Sequence, residues 1–305
     1  MRRAARLALV ALLVTTAACA SDGRDASPAG SAPGPTLPTV VRNADGIGAS
    51  IQQWREDEVK GVVQVKIWNG SSGDLRVDEL ALSWTGFEAP TTGAPAYVIG
   101  RRDRIDLPLP VVPARCQAPP QLTDAPPAAV AEVTVTGAIG DEPGTFTIPV
   151  TDIEGVLERI YRSDCRKQTV LWNAGIAFAD TWTREDRDGR VVLAGEIVID
   201  RRSGVGPIVI DDLRGSVLLT LTPAVTPAGD DAPIEVMAAD VDQIRIPIEL
   251  ANARCDPHAL GESKKPYVFQ IKVVLPAGDA VDITLEPTPT QQAVVYQVIR
   301  DGCGV

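Results

Sequence analysis

Apolar and polar residues alternate with a period of two through most of the chain. Val63, Val65 and Ile67 are separated by Gln64 and Lys66, the pattern of a strand with one face in a core and the other toward water. Similar runs cover Leu75–Trp84, Ile105–Val112, Ala131–Ile139 and Thr145–Val150. Further runs are Ile176–Arg184, Val191–Asp200, Ile208–Thr222, Ile244–Leu250, Val268–Leu275 and Val281–Leu285. Gly, Pro and Asp punctuate them, and Asp188-Gly189 is a hairpin signal. One segment has a different period. Ile153, Val156, Leu157 and Ile160 fall at i, i+3, i+4 and i+7, with Thr151 and Glu154 at capping-box spacing before them. This predicts a short helix over 152–161, ending just before Cys165. The equivalent stretch at 290–299 holds Val294, Val295 and Val298, whose β-branched side chains leave helix and strand equally open.

The pattern also repeats. Trp54-Arg-Glu-Asp-Glu-Val-Lys-Gly61 lies 128 residues before Trp182-Thr-Arg-Glu-Asp-Arg-Asp-Gly189. Val77-Asp-Glu-Leu80 matches Ile210-Asp-Asp-Leu213 at an offset of 133, and Ile105-Asp-Leu-Pro-Leu109 matches Ile244-Arg-Ile-Pro-Ile248 at 139. Ala114-Arg115-Cys116 matches Ala253-Arg254-Cys255 at 139, and Cys165 matches Cys303 at 138. The order is kept and the offset drifts by loop-sized amounts, so we read two homologous domains, 46–165 and 168–305. Many short strands with regular turns predict an all-β fold, here two tandem immunoglobulin-like sandwiches. Val63-Gln-Val-Lys-Ile-Trp-Asn69 followed by Val77-Asp-Glu-Leu80 resembles the early strands of bacterial immunoglobulin-like modules. The few polar residues after Cys165 read as a short linker of about 10 Å at full extension. Trp172 is then expected at the joint, packed against the first domain, where a cleft would hold any ligand.

Apart from Cys19 there are four cysteines, which allow three connectivities. The duplication selects Cys116–Cys165 and Cys255–Cys303, one bridge per domain. There is no C-x-x-C, and one His cannot complete a repeated zinc site.

Arg2, Arg3 and Arg6 precede an eight-residue apolar run at 7–14 and a small-residue stretch ending at Cys19. Eight residues cannot span a bilayer core as a helix, which needs about 20, so residues 1–18 read as a secretory signal. Thr16-Ala17-Ala18-Cys19 resembles the lipobox of bacterial lipoproteins, although Thr16 stands where that family usually has Leu. The resemblance implies a lipid on Cys19. The alternative is a plain secreted chain cut after an A-x-A-like site. Between 20 and 38, 14 of 19 residues are Ala, Ser, Gly or Pro, a flexible tether that continues to about residue 45 and favours the anchored form.

The 305 residues carry a formal charge of −11. That acidity excludes an ordinary nucleic-acid binder, and loss of the three Arg of 1–18 deepens it. With 23 Arg against 6 Lys, the chain resembles uncharacterised actinobacterial-type lipoproteins. Enzyme motifs are absent: there is no G-x-S-x-G, P-loop or H-E-x-x-H. His258, with Asp256 and Glu262, is either a small cation site or a loop His beside a turn capped by Asp256. The second reading is favoured. Asp186-Arg-Asp188-Gly189 is a fragment of a calcium loop or a plain hairpin turn, and again the plain reading is favoured. Trp54 and Trp182, if exposed, would serve as interface residues together with Trp172, but a repeated Trp reads first as a core plug. No metal, cofactor or catalytic residue is expected. The reading is a lipid-anchored module on the outer face of the cytoplasmic membrane that binds an envelope protein. A small-ligand carrier is the alternative, and an envelope hydrolase the least supported.

Overall fold

A computed structural model describes residues 40–304 apart from 188, 205, 228, 230, 231, 264 and 277. The expected signal, Cys19 and most of the tether lie outside the described residues. The first half comprises β1 (Ile47–Gln52), α1 (Arg55–Lys60), β2 (Val62–Asn69), β3 (Leu75–Ser83), β4 (Thr91–Gly93), β5 (Tyr97–Ile99), β6 (Arg104–Pro110), β7 (Glu132–Ile139) and β8 (Glu142–Thr151). Then comes α2 (Val156–Asn173). The second half comprises β9 (Ala174–Phe178), β10 (Thr183–Arg187), β11 (Arg190–Arg201), β12 (Ile208–Arg214), β13 (Leu219–Pro223), β14 (Glu235–Met237) and β15 (Gln243–Asn252). It ends with α3 (Pro257–Glu262), β16 (Phe269–Val274), β17 (Val281–Leu285) and α4 (Pro289–Cys303).

In the first half β1, β2 and β6 pair antiparallel, as do β3, β7 and β8. The inward residues of β2, Val63, Val65 and Ile67, are fully buried, as their alternation requires. The end of β8 pairs parallel with β1, Val150 opposite Ala49, and so joins the two layers. This pairing scheme is that of an immunoglobulin-like sandwich. Five antiparallel pairings recur in the second half: β9 with β11, β11 with β15, β12 with β16, β16 with β17, and β14 on the edge of β12 as β5 lies on β3. A bulge recurs too. The register shifts between Val77 and Glu79 in the first half and between Ile210 and Asp212 in the second. The matching Asp78 and Asp211 are thus the extra residues of one repeated irregularity.

The halves differ at the Trp-to-Gly segments. The first forms α1, where Asp57 Oδ2 accepts from the Trp54 N–H at 3.1 Å and Gly61 closes the helix at φ 66°. The second forms β10, paired with β11 from Thr183–Ala194 to Arg187–Arg190. The run at 208–222 also breaks, because Gly215 lies so close to the Leu219 carbonyl that a Cβ would meet it at 2.1 Å. Residues 290–299 fall within α4.

Val40–Val305 forms one compact unit with two large hydrophobic cores. The helix expected over 152–161 is instead Val156–Asn173, so Cys165 and the supposed linker lie inside it. Its start is capped by Asp152, not by a Thr151–Glu154 box: the two Asp152 oxygens accept from Val156 N–H at 2.8 Å and Leu157 N–H at 2.9 Å. Val156 and Leu157 belong to the first core and Val170 to the second. The continuous helix therefore replaces the linker.

Candidate functional site

A concavity opens where α2 ends. A cleft of about 450 Å³ is lined by the loop 119–123, by Thr169, Trp172 and Asn173 of α2, and by residues around 201–208 and 275–276. That volume lies in the ordinary range of ligand sites, about 300–1,000 Å³.

Each lining segment is fixed by identifiable bonds. Cys165 in the middle of α2 is bridged to Cys116, with Cα atoms 5.4 Å apart. One turn earlier, Tyr161 is buried and edge-on to Trp84, with ring centroids 5.9 Å apart. Burial, and then the Asp124 carboxylate, push the Tyr161 hydroxyl above its usual range. It stays protonated and donates to the Arg115 carbonyl at 3.4 Å. Asp164 Oδ2 accepts from the Ala114 N–H at 2.7 Å. Beyond the bridge, buried Asp124 folds the 117–124 loop by accepting from the N–H groups of Gln117 at 3.1 Å and Gln121 at 3.3 Å. This loop belongs to the first half, yet its Leu122 packs on the second core. Arg166 of α2 donates to Asp279 and to the Ala280 carbonyl, both at 3.3 Å.

The last turn of a helix leaves its carbonyls without partners inside the helix. Here the 201–204 segment supplies them. The Leu171 carbonyl accepts from the Arg202 guanidinium at 3.2 Å and that of Trp172 from the Ser203 hydroxyl at 2.8 Å. The Asn173 carbonyl accepts from the Arg202 N–H at 2.9 Å. The Arg202 charge also suits the negative end of the helix dipole. Arg201 holds the segment itself, donating to the carbonyls of Val241 at 2.9 Å, Gly206 at 3.0 Å and Ala238 at 2.8 Å. Trp172 thus sits on a braced backbone, with its side chain 52% exposed. It lies at the expected joint, but it is not packed away against the first half. Its position in the last turn of α2 keeps the indole at the cleft mouth.

The other residues marked in the sequence are scattered. Trp54 is 48% exposed at the start of α1 and is not a core plug, because the α1 turn replaces the strand that would have buried it. Trp182 is half-buried against the second core and leans on Phe178, with ring centroids 5.2 Å apart. Cys255 and Cys303 form the second bridge, with Cα atoms 5.2 Å apart. Asp256 caps α3, accepting from the Ala259 N–H at 3.0 Å, and pairs with Arg254 at 3.0 Å. These two bonds, in that order, hold its carboxyl below the usual aspartate range. Its oxygens are therefore engaged beside His258. Asp186 Oδ1 accepts from the Gly189 N–H at 3.0 Å, while Asp188 lies outside the described residues. Among the described residues no three His, Cys, Asp or Glu side chains gather as a metal site. No described helix is long and apolar enough to cross a membrane.

Sequence reasoning missed Leu122, Asp124, Arg201, Arg202 and Ser203. The available signal was Arg201-Arg202-Ser203, a polar triplet closing the long apolar strand β11.

No family model and no curated protein matches the chain. Among solved structures, a crystal structure of a protein of unknown function from Porphyromonas gingivalis W83 is similar at 15% identity. The match covers 74% of this chain and 90% of that one, with a TM-score of 0.18.

Proposed function

We propose that this chain is a lipid-anchored extracytoplasmic binding module that presents the cleft beside Trp172 to another protein of the cell envelope. The observation that carries the reading is Trp172 itself, a large half-exposed aromatic on a backbone fixed from both halves. Such an anchor meets a partner with little ordering cost, which is what interface hot spots require. Two disulfides suit an oxidising compartment. The Cys19 pattern and the tether supply the anchor in this reading. The five recurring strand pairings and the recurring bulge support descent from a duplicated immunoglobulin-like domain.

A second reading, a small-ligand carrier, draws on the volume of the cleft. Photo-crosslinking in membranes separates the two. A photoreactive residue at Leu171, exposed beside the cleft, should capture one envelope protein, whereas one at exposed Val225 should not. Equal capture at both positions removes the protein-partner reading. Cys19→Ser should move the chain from the membrane fraction to the soluble one, and continued sedimentation with membranes removes the lipid anchor.

A further inference from the structure

We infer that the cleft beside Trp172 takes an uncharged, proline-containing peptide segment in the extended polyproline II conformation. This inference rests on the protein-partner reading above and names the chemistry of the partner.

The first observation is charge. Arg201 is the one charged side chain among the described lining residues, and each of its guanidinium nitrogens already donates to a backbone carbonyl. An ionised ligand group buried there would lose water and find each of those nitrogens already engaged by a carbonyl, and a cationic one would meet no carboxylate. The second observation is the state of the polar groups. The Thr169 hydroxyl donates to the Cys165 carbonyl, the Asn173 amide to the Thr169 carbonyl, and the Ser203 hydroxyl to the Trp172 carbonyl. Both hydroxyl donors and one of the two Asn173 amide N–H groups are thus spent within the protein. A sugar, with a hydroxyl on nearly every carbon, needs several donors and acceptors aimed at it, and this lining offers few. The indole N–H of Trp172 has no acceptor among the described residues. The third observation is shape. Pro119, Pro120, Pro207 and Pro276 meet Trp172 around the cleft, a lining of stiff apolar rings.

A polyproline II segment matches all three. It has no internal hydrogen bonds, so its carbonyls are free to accept from an indole N–H. Its rings lie against aromatic and apolar surfaces, and it is already extended before binding. It carries no charge of its own.

The test titrates the full chain with decaproline and follows the indole N–H resonances by NMR, with that of Trp172 assigned by its loss in Trp172→Phe. The Trp172 resonance should shift to saturation while that of Trp68 stays in place, and a Gly-Ser peptide of equal length should shift neither. Trp172→Ala should weaken decaproline at least about tenfold. If that variant does not fold, Trp172→Phe provides the measurement. It keeps a ring but has no N–H, so binding should fall by about three- to tenfold, the loss of one hydrogen bond. No shift with decaproline, or a shift with a chitin oligomer in its place, overturns the peptide assignment. Capture of a protein from Leu171 with no decaproline response would leave the partner reading standing and remove the ligand class alone.

Discussion

Asn69 and Arg201 hold the same place in the two halves and tie down the same stretches of backbone with different side chains. Asn69 ends β2 and Arg201 ends β11, two residues beyond Ile67 and Ile199, which pair with the matched Ile105 and Ile244. The Asn69 amide donates to the carbonyls of Gly73 and Ile99, both at 2.9 Å, and Gly100 at 3.3 Å. Arg201 donates to Gly206, the match of Gly73, and to Ala238, the match of Gly100, as well as to Val241. The short amide reaches three carbonyls and is itself fully buried. The long guanidinium also reaches three, and it lines the cleft.

Arg201→Met keeps the length of the side chain and removes every donor. It should destabilise the protein by about 3 kcal/mol, since hydrogen bonds from a charged donor contribute about 1.5–3 kcal/mol each and are not additive. Arg201→Lys should recover only part of this, because an ammonium cannot fork to three carbonyls. Urea unfolding measures both, and a loss below about 1 kcal/mol would show the clamp to be incidental.

Leu157 and Val170 are 13 residues apart on α2, about 220° round the helix at 100° per residue, and each is buried in a different core. Val170→Ala should cost about 2 kcal/mol. Calorimetry should show one transition for the two halves together, in the wild type and in this variant. Two separated transitions would contradict a shared helix.

The strands were legible because alternation is a local signal. Both disulfide pairings were legible because duplication puts equal loops in equal places. The bulge was not read from the sequence, although it falls in the matched segments Val77-Asp-Glu-Leu80 and Ile210-Asp-Asp-Leu213. The extent of α2 was not legible. Beyond Ile160 its buried positions, Tyr161, Cys165, Thr169 and Val170, follow no single apolar stripe, because two cores and a disulfide cover different sides of it. Leu122 and Arg202 act across more than 30 residues, a distance over which periodicity carries no information. The α1 segment misled for a related reason. Matched residues from Trp54 and from Trp182 adopt helix and strand, because one closes on Gly61 and the other turns back at Gly189.

Removing the second bridge tests how far it matters. Cys255→Ser with Cys303→Ser should lower stability by roughly 4 kcal/mol on the chain-entropy model for a loop of 48 residues. Non-reducing peptide mapping of the wild type should recover the 116–165 and 255–303 peptides, and any 116–255 peptide would contradict the pairing.

Asp256 gives a pH signature. The Ala259 N–H and then Arg254 lower its folded pKa below the ordinary 3.8. A group depressed on folding contributes stability above its unfolded pKa and loses it as the pH falls through the folded value. The contribution should therefore be complete at neutral pH and fade below 3.8. Asp256→Asn should flatten that acid limb of thermal stability, and an unchanged limb would rule out this carboxylate as its source.

The capping of α2 from Arg202 and Ser203 has a consequence for the order in which the molecule assembles. A chain is made from its N-terminus. When residue 173 is complete, the carbonyls of Leu171, Trp172 and Asn173 have no donors, and Val170 has no second core to enter. The donors arrive about 30 residues later, with the end of β11, and the core that takes Val170 is complete only with α4. The first sandwich can form ahead of the second, but its last helix stays unfinished until part of the second is in place.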